Sequence, residues 1–260
     1  MGQVPAATKT LRVLRFLAGQ PEPVPLDRIA RACGLPRSTA YHLVTAMIEE
    51  GFVVHLGDEH RFGLGVAAFE VGSGFSRQEP LQRISRRTLA DLVDDTGQTA
   101  HLAVLHGRDV LYVVEERAPG RPPLVTDVGV RLPAQLTASG RAILSALPGP
   151  QVRALFPDPS AFVDRHGTGP RTLSALRSLL TDTRRRGYAI EQGEVTPGFA
   201  SVAAPVLDHN GHPVAGLAVT YAESDSTGAG DPDDLAQAVR RAATALTTRI
   251  GGPTDVPATG

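Results

Sequence analysis

The chain has 260 residues, of which 42% are hydrophobic and 20% charged. That suits one large domain or two modest ones and excludes wholesale disorder. The formal net charge is only −1, so any contact with nucleic acid must come from a local patch rather than from the whole molecule. A single cysteine, Cys33, excludes an internal disulfide and a cysteine zinc cluster. With no signal peptide and no apolar run of about 20 residues, the sequence reads as a cytoplasmic protein with no membrane partner.

Residues 1–8 form a short lead-in. Leu11, Leu14 and Leu17 recur at threefold spacing and predict an amphipathic helix over 9–19, ended by Gly19 and Pro21. A second helix fits 26–32 with Ile29 and Ala30 inward, and Gly34 and Pro36 supply a turn and a restart. A third helix fits 37–50, seated through Ala40, Leu43 and Met47. Residues 52–55 and 60–62 around Gly57-Asp58 predict a two-stranded wing. A linker helix over 64–77 follows, with Leu64, Ala67, Ala68 and Val71 as its apolar face.

The third helix leaves Arg37, Ser38, Thr39, Tyr41, His42 and Thr45 facing outward. Arginine and hydroxyl side chains at a helix start suit phosphates and base edges, and the N-terminus itself favours an anion. Arg61 on the wing is a further candidate for the DNA backbone or minor groove. Residues 1–80 hold eight Lys/Arg and eight Asp/Glu, but Asp58-Glu59 and Glu49-Glu50 lie away from the start of the third helix. The reading surface is therefore locally basic, and tight binding calls for a dimer or larger assembly.

A new pattern begins near residue 79: a helix over 81–96, strands at 101–105 and 110–115 around Gly107-Arg108-Asp109, and a small-residue helix 140–147 opened by Thr137-Ala138-Ser139-Gly140. Then come a helix over 173–186, strands near 200–207 and 214–221 around a 208–211 turn, and a closing helix 232–250. Hairpins dominate, so the sheet is expected to be mainly antiparallel. The eight histidines show no HExxH or equivalent spacing, and neither Ser139 nor Ser201 has a His and acid at recognisable spacing. No metal, cofactor or catalytic set is assigned, although a domain turning over a metabolite, or an interaction protein that reads no DNA, stays open as an alternative.

Several stretches in order resemble the IclR family of bacterial regulators: 34–43, 61–65, 96–105, 131–133 with 137–142, 186–189, and 203–206 with 216–219. Two positions depart from its pattern: Pro25 stands where a Ser or Thr cap is usual, and Gln135-Leu136 where a His is often found. The resemblance implies an α+β chain: a winged helix-turn-helix over 8–63, a linker helix 64–78, a GAF-like effector domain 79–250 with helices flanking its sheet, and a loose tail 251–260. It also implies a homodimer or tetramer on a palindromic double-stranded operator, acting most often as a repressor of metabolic or catabolic genes. Arg37, Ser38, Thr39, Tyr41 and His42 match the family's operator-reading positions. Ala138 and Ser139 match a helix start that holds an acid effector, with Glu191, Phe199, Ser201, Ala218 and Thr220 across the pocket and Leu102 on its apolar side. Glu191 is ambiguous: its charge opposes an acid, and it is expected to bond a hydroxyl, brace a loop, or mark a neutral or amino-bearing ligand.

Overall fold

The computed structural model describes residues 4–71, 80–224 and 232–253. The chain divides into two compact units, Met1–Gln78 and Glu79–Gly260.

The first unit opens with α1 (Pro5–Ala18), α2 (Leu26–Cys33) and α3 (Arg37–Glu49). α1 buries Val13 and Leu17, with Leu14 and Phe16 half-buried, while Leu11 lies exposed. The expected threefold stripe through Leu11 is thus replaced by an i, i+4 face, because four residues come closer to a whole turn than three. In α3 the seat is Ala40, Val44 and Met47, and Leu43 is only half-buried. α2 ends in a Schellman motif: Gly34 sits at φ 64°, its amide donates to Arg31 O, and the Leu35 amide donates to Ala30 O.

Behind these helices lie β1 (Val24–Pro25), β2 (Val53–Leu56) and β3 (Arg61–Leu64), an antiparallel sheet in the order β1-β3-β2. Val24 pairs with Phe62. This third strand was not expected; it is two residues long and half of it is proline. The wing tip is a 3-10 turn, Gly57–Glu59, after which His60 takes a left-handed backbone at φ 50°. Val13, Leu17, Ile29, Cys33, Val44, Met47, Val53 and Phe62 make the core. Leu64, expected in the linker helix, belongs to β3, and helical backbone starts at 66 and runs to 71. Gly65 is fixed by packing, since a Cβ there would lie 2.2 Å from Gly51 O. Residues 72–77 of the expected linker helix, and 254–260 of the expected tail, fall outside the described residues.

The second unit is a six-stranded antiparallel sheet in the order β6-β5-β4-β9-β8-β7. Its strands are β4 (Thr99–His106), β5 (Asp109–Glu116), β6 (Arg131–Pro133), β7 (Ala189–Gln192), β8 (Phe199–Leu207) and β9 (Pro213–Ala222). α4 (Pro80–Thr96) and α8 (Pro232–Arg249) cover one face around Leu89, Leu102, Val202, Leu217, Val239 and Leu246. α5 (Ala138–Ala146), α6 (Gly149–Leu155) and α7 (Leu173–Arg186) pack with the other face around Tyr112, Ile143, Leu144, Phe156, Leu176 and Leu180. The fold is α+β, a winged helix-turn-helix followed by a GAF-like unit. β6, β7 and α6 escaped the sequence reading, being three, four and seven residues long and too short to show a period. Among the described residues no helix is long and apolar enough to cross a membrane.

Candidate functional site

The first unit offers the exposed start of α3. Arg37, Ser38, Tyr41 and His42 are exposed, and Thr39 and Thr45 half-buried. No side chain caps this helix, whose N-cap is Pro36, so its first amides are open to an anion. Arg37 Nε lies 3.0 Å from Asp27 Oδ1 of α2, both side chains largely exposed. Thr45 donates back to Tyr41 O at 2.9 Å, so its hydroxyl is already engaged. Arg61 donates to Pro23 O at 3.1 Å and lies 3.8 Å from Glu59, which ties it to the wing rather than leaving it extended.

The second unit holds a narrow cavity between the start of α5 and the polar face of the sheet. α5 is drawn onto the sheet by small residues: Ala138 and Ala142 pack on Ala189, Ala203 and Ala218. Gly216 is required there, since a Cβ would lie 2.5 Å from Ser139 O. Thr137 caps the helix by accepting from the Gly140 amide at 3.0 Å, while the amides of Ala138 and Ser139 have no acceptor among the described residues. Ser139 Oγ is buried without a well-formed hydrogen bond, and the Tyr112 hydroxyl feels both it and Thr137. Free donors on a helix start that lines a cavity suit an anion.

Opposite, strand register lines up a polar row. Glu191 pairs with Ser201, and Ser201 with Thr220. Ser201 Oγ and Thr220 Oγ1 are 2.9 Å apart. Glu191 Oε1 accepts from the Val195 amide at 2.9 Å, which fixes the loop after β7. Burial pushes the Glu191 carboxyl up to about 7; the Glu194 charge adds to this, while the Val195 bond, the Arg141 charge and the Ser201 bond oppose it. Arg141 of α5, buried, donates to Gln135 O at 2.9 Å, Ile190 O at 2.7 Å and Glu194 Oε1 at 2.8 Å. Glu194 Oε2 also accepts from the Gln192 amide. The third wall is the segment between β5 and β6, which brings Leu124, Val125 and Thr126 over the cavity. Thr126 Oγ1 meets His101 Nε2 at 3.3 Å, while His101 Nδ1 has no partner. Burial and the Arg117 charge hold His101 down to about 3, so the ring is neutral. Tyr112, edge-on to His101 at 5.7 Å, keeps its proton because burial and the Glu191 charge push its pKa up.

A family model described as the C-terminal part of the bacterial transcriptional regulator IclR matches residues 76–248, and one described as the IclR helix-turn-helix domain matches residues 6–57. The chain belongs to the IclR family. The acetate operon repressor of Salmonella typhimurium is 32% identical over 221 residues, which is 84% of this chain and 80% of that protein. An IclR transcriptional regulator from Silicibacter sp. TM1040 has a crystal structure similar at TM-score 0.81 and 26% identity, covering 98% of this chain and 99% of that one. An IclR homolog from Microbacterium hydrocarbonoxydans, crystallised with 4-hydroxybenzoate, shares the fold at TM-score 0.77 and 20% identity, over 94% of this chain and 98% of that one. This IclR-family chain is a DNA-binding transcriptional regulator with an effector-binding second unit.

On this IclR frame, seven of the eight expected effector residues line the cavity together: Ala138, Ser139, Glu191, Phe199, Ser201, Ala218 and Thr220. Leu102 does not. It is buried on the opposite face of β4, against the α4–α8 core, because successive strand residues point to opposite sides. Its neighbour His101, to which the sequence assigned no role, takes the place instead. The register pair His101↔Ala218 is the signal that would have found it. Tyr112, Thr137 and the 124–126 segment were also missed, the last because it has no regular structure.

Proposed function

We propose that this regulator is a repressor of metabolic or catabolic genes whose hold on its operator is set by a small carboxylic acid seated on the start of α5. The observation that carries this reading is the pair of unpaired amides at Ala138 and Ser139 beside the buried, unbonded Ser139 hydroxyl. A carboxylate satisfies all three. The 4-hydroxybenzoate in complex with a protein of the same fold is a carboxylic acid too.

Residues 8–63 are assigned to the operator, with Arg37, Ser38, Thr39, Tyr41 and His42 reading it and Thr45 and Arg61 in supporting places. Residues 79–250 are assigned to the effector, and the linker 64–78 to transmission between them. The acid changes operator affinity only if it binds the two states of the regulator unequally. A homodimer or tetramer on a palindrome is the assembly this reading requires, since each α3 presents few cations. The cytoplasm is its place of action. An enzymatic second reading is not favoured by Ser201, whose hydroxyl bonds Thr220 rather than a histidine.

A gel shift on the DNA flanking its own gene, with rising salt and competitor DNA, tests this. A discrete shift that small monocarboxylates abolish supports a repressor released by acid. A shift that no acid alters refutes the effector assignment, and a shift that appears only with acid reverses the sign of control.

A further inference from the structure

The cavity that seats the acid in the reading above already contains one carboxylate and offers no cation to a second. Among the described residues lining it, the titratable side chains are His101, Tyr112 and Glu191. The groups facing Glu191 come from every element packed round it. From β4, His101 is neutral, and from β5, Tyr112 is a protonated phenol. From α5 come the hydroxyls of Thr137 and Ser139 and the Arg141 guanidinium, which lowers the Glu191 pKa by its charge but spends its hydrogen bonds on two carbonyls and Glu194, leaving none for a ligand. From β8 and β9 come Ser201 and Thr220, with the phenol of Tyr221 feeling the Glu191 charge. The loop after β7 adds a like charge, Glu194. The 124–126 segment adds only Leu124, Val125 and Thr126.

A helix start carries roughly half a positive charge. It can balance one anion, not an anion beside an ionised Glu191 in a site 3% open to water at that residue. Two carboxylates confined together cannot both stay ionised; one takes a proton. We infer that the effector is a small acid of single negative charge and that Glu191 takes up a proton when it binds. Dicarboxylates and phosphate esters, which bring a second charge, are refused. The inference rests on the acid-effector reading, and its test separates the two.

The probes are acetate, glycolate and 4-hydroxybenzoate as monoanions, and succinate and glycerol 3-phosphate as dianions. Binding to the full-length protein is followed by calorimetry in phosphate and in Tris, whose different heats of ionisation report protons taken up. Starting from a carboxyl at about 7, the Kd of a monoanion is expected to be flat below about pH 6 and to rise close to tenfold per pH unit above 7, about a hundredfold in all by pH 9. At pH 8 close to one proton enters per ligand. Glu191→Gln keeps an oxygen for the Val195 amide and removes the titration; its Kd is expected to be flat with pH and about tenfold tighter than wild type at pH 8. Monoanion binding to the wild type without proton uptake overturns the inference and leaves the acid reading standing. So does uptake that persists in Glu191→Gln, or a dianion bound as tightly as a monoanion. No binding by any of the acids overturns the acid reading and the inference with it. The wild-type proton count stands even if the variant fails to fold.

Discussion

Replacing Arg141 by methionine isolates the fastening that shapes the cavity. The guanidinium holds three partners at 2.7–2.9 Å, namely Gln135 O before α5, Ile190 O on β7 and Glu194 in the following loop. Its side chain is 3% exposed and that of Glu194 14%. Methionine fills much of the volume but leaves two carbonyls and a carboxylate with less than their due, and removing one member of a buried pair costs about 3–5 kcal/mol. For a unit the size of Glu79–Gly260, each kcal/mol moves the midpoint by about 2–4 °C, so scanning calorimetry should show that transition falling by roughly 6–20 °C. Adding Glu194→Gln removes the stranded charge and should recover about 1–2 kcal/mol of the loss, because a neutral amide costs less to bury. Amide exchange at Gln192 and Val195 should quicken in the single variant, since both bond to the carboxylates that order the loop. A loss under about 1 kcal/mol, with no recovery in the double variant, would refute the claim that this pair holds the loop.

Gly216→Ala places a methyl 2.5 Å from Ser139 O; overpacking of this kind costs about 1–3 kcal/mol, to be read by urea denaturation, and a neutral result would mean that α5 yields freely. Arg37→Ala should weaken operator binding about tenfold or more and lower the salt slope by about one per reading head, measured by anisotropy at several salt concentrations, while the melting of the protein stays unchanged because the ion pair of Arg37 with Asp27 is exposed. Glu191 has a carboxyl raised from 4.5 to about 7 in the folded protein, so the folded state binds more protons between those values. Its contribution to stability is full below about pH 4.5 and falls by about 3 kcal/mol as pH rises to 7. Stability of wild type minus Glu191→Gln should therefore decline across that window and level off above it; a flat difference refutes the shift. His101, held neutral, works in the opposite sense below pH 6.5, and taking the difference removes it.

Legibility in the sequence followed the strength of local periodicity. The α7 bounds were plain because Leu173, Leu176 and Leu180 mark a stripe between Thr172 and a left-handed Gly187. Leu11 misled because a leucine at threefold spacing looks like a stripe until neighbours decide the face. The cavity residues were reached by motif, which names positions but not directions. Leu102 and His101 are adjacent in β4, and only the pairing of His101 with Ala218 shows which of them turns to the cavity. The role of Arg141 was invisible for a related reason: its partners lie six, 49 and 53 residues away.

The alternation along β4, β8 and β9 also separates two kinds of inheritance. His101, Ser201, Ala218 and Thr220 face the cavity, while Leu102, Val202, Leu217 and Val219 next to them build the core. A substitution at His101, Ser201 or Thr220 alters the cavity wall, one at Ala218 also disturbs the seat of α5, and one in the second set breaks the core. Neighbouring codons thus drift under different constraints, and a lineage with this sheet can reshape its cavity through a handful of replacements while the core beneath it is kept.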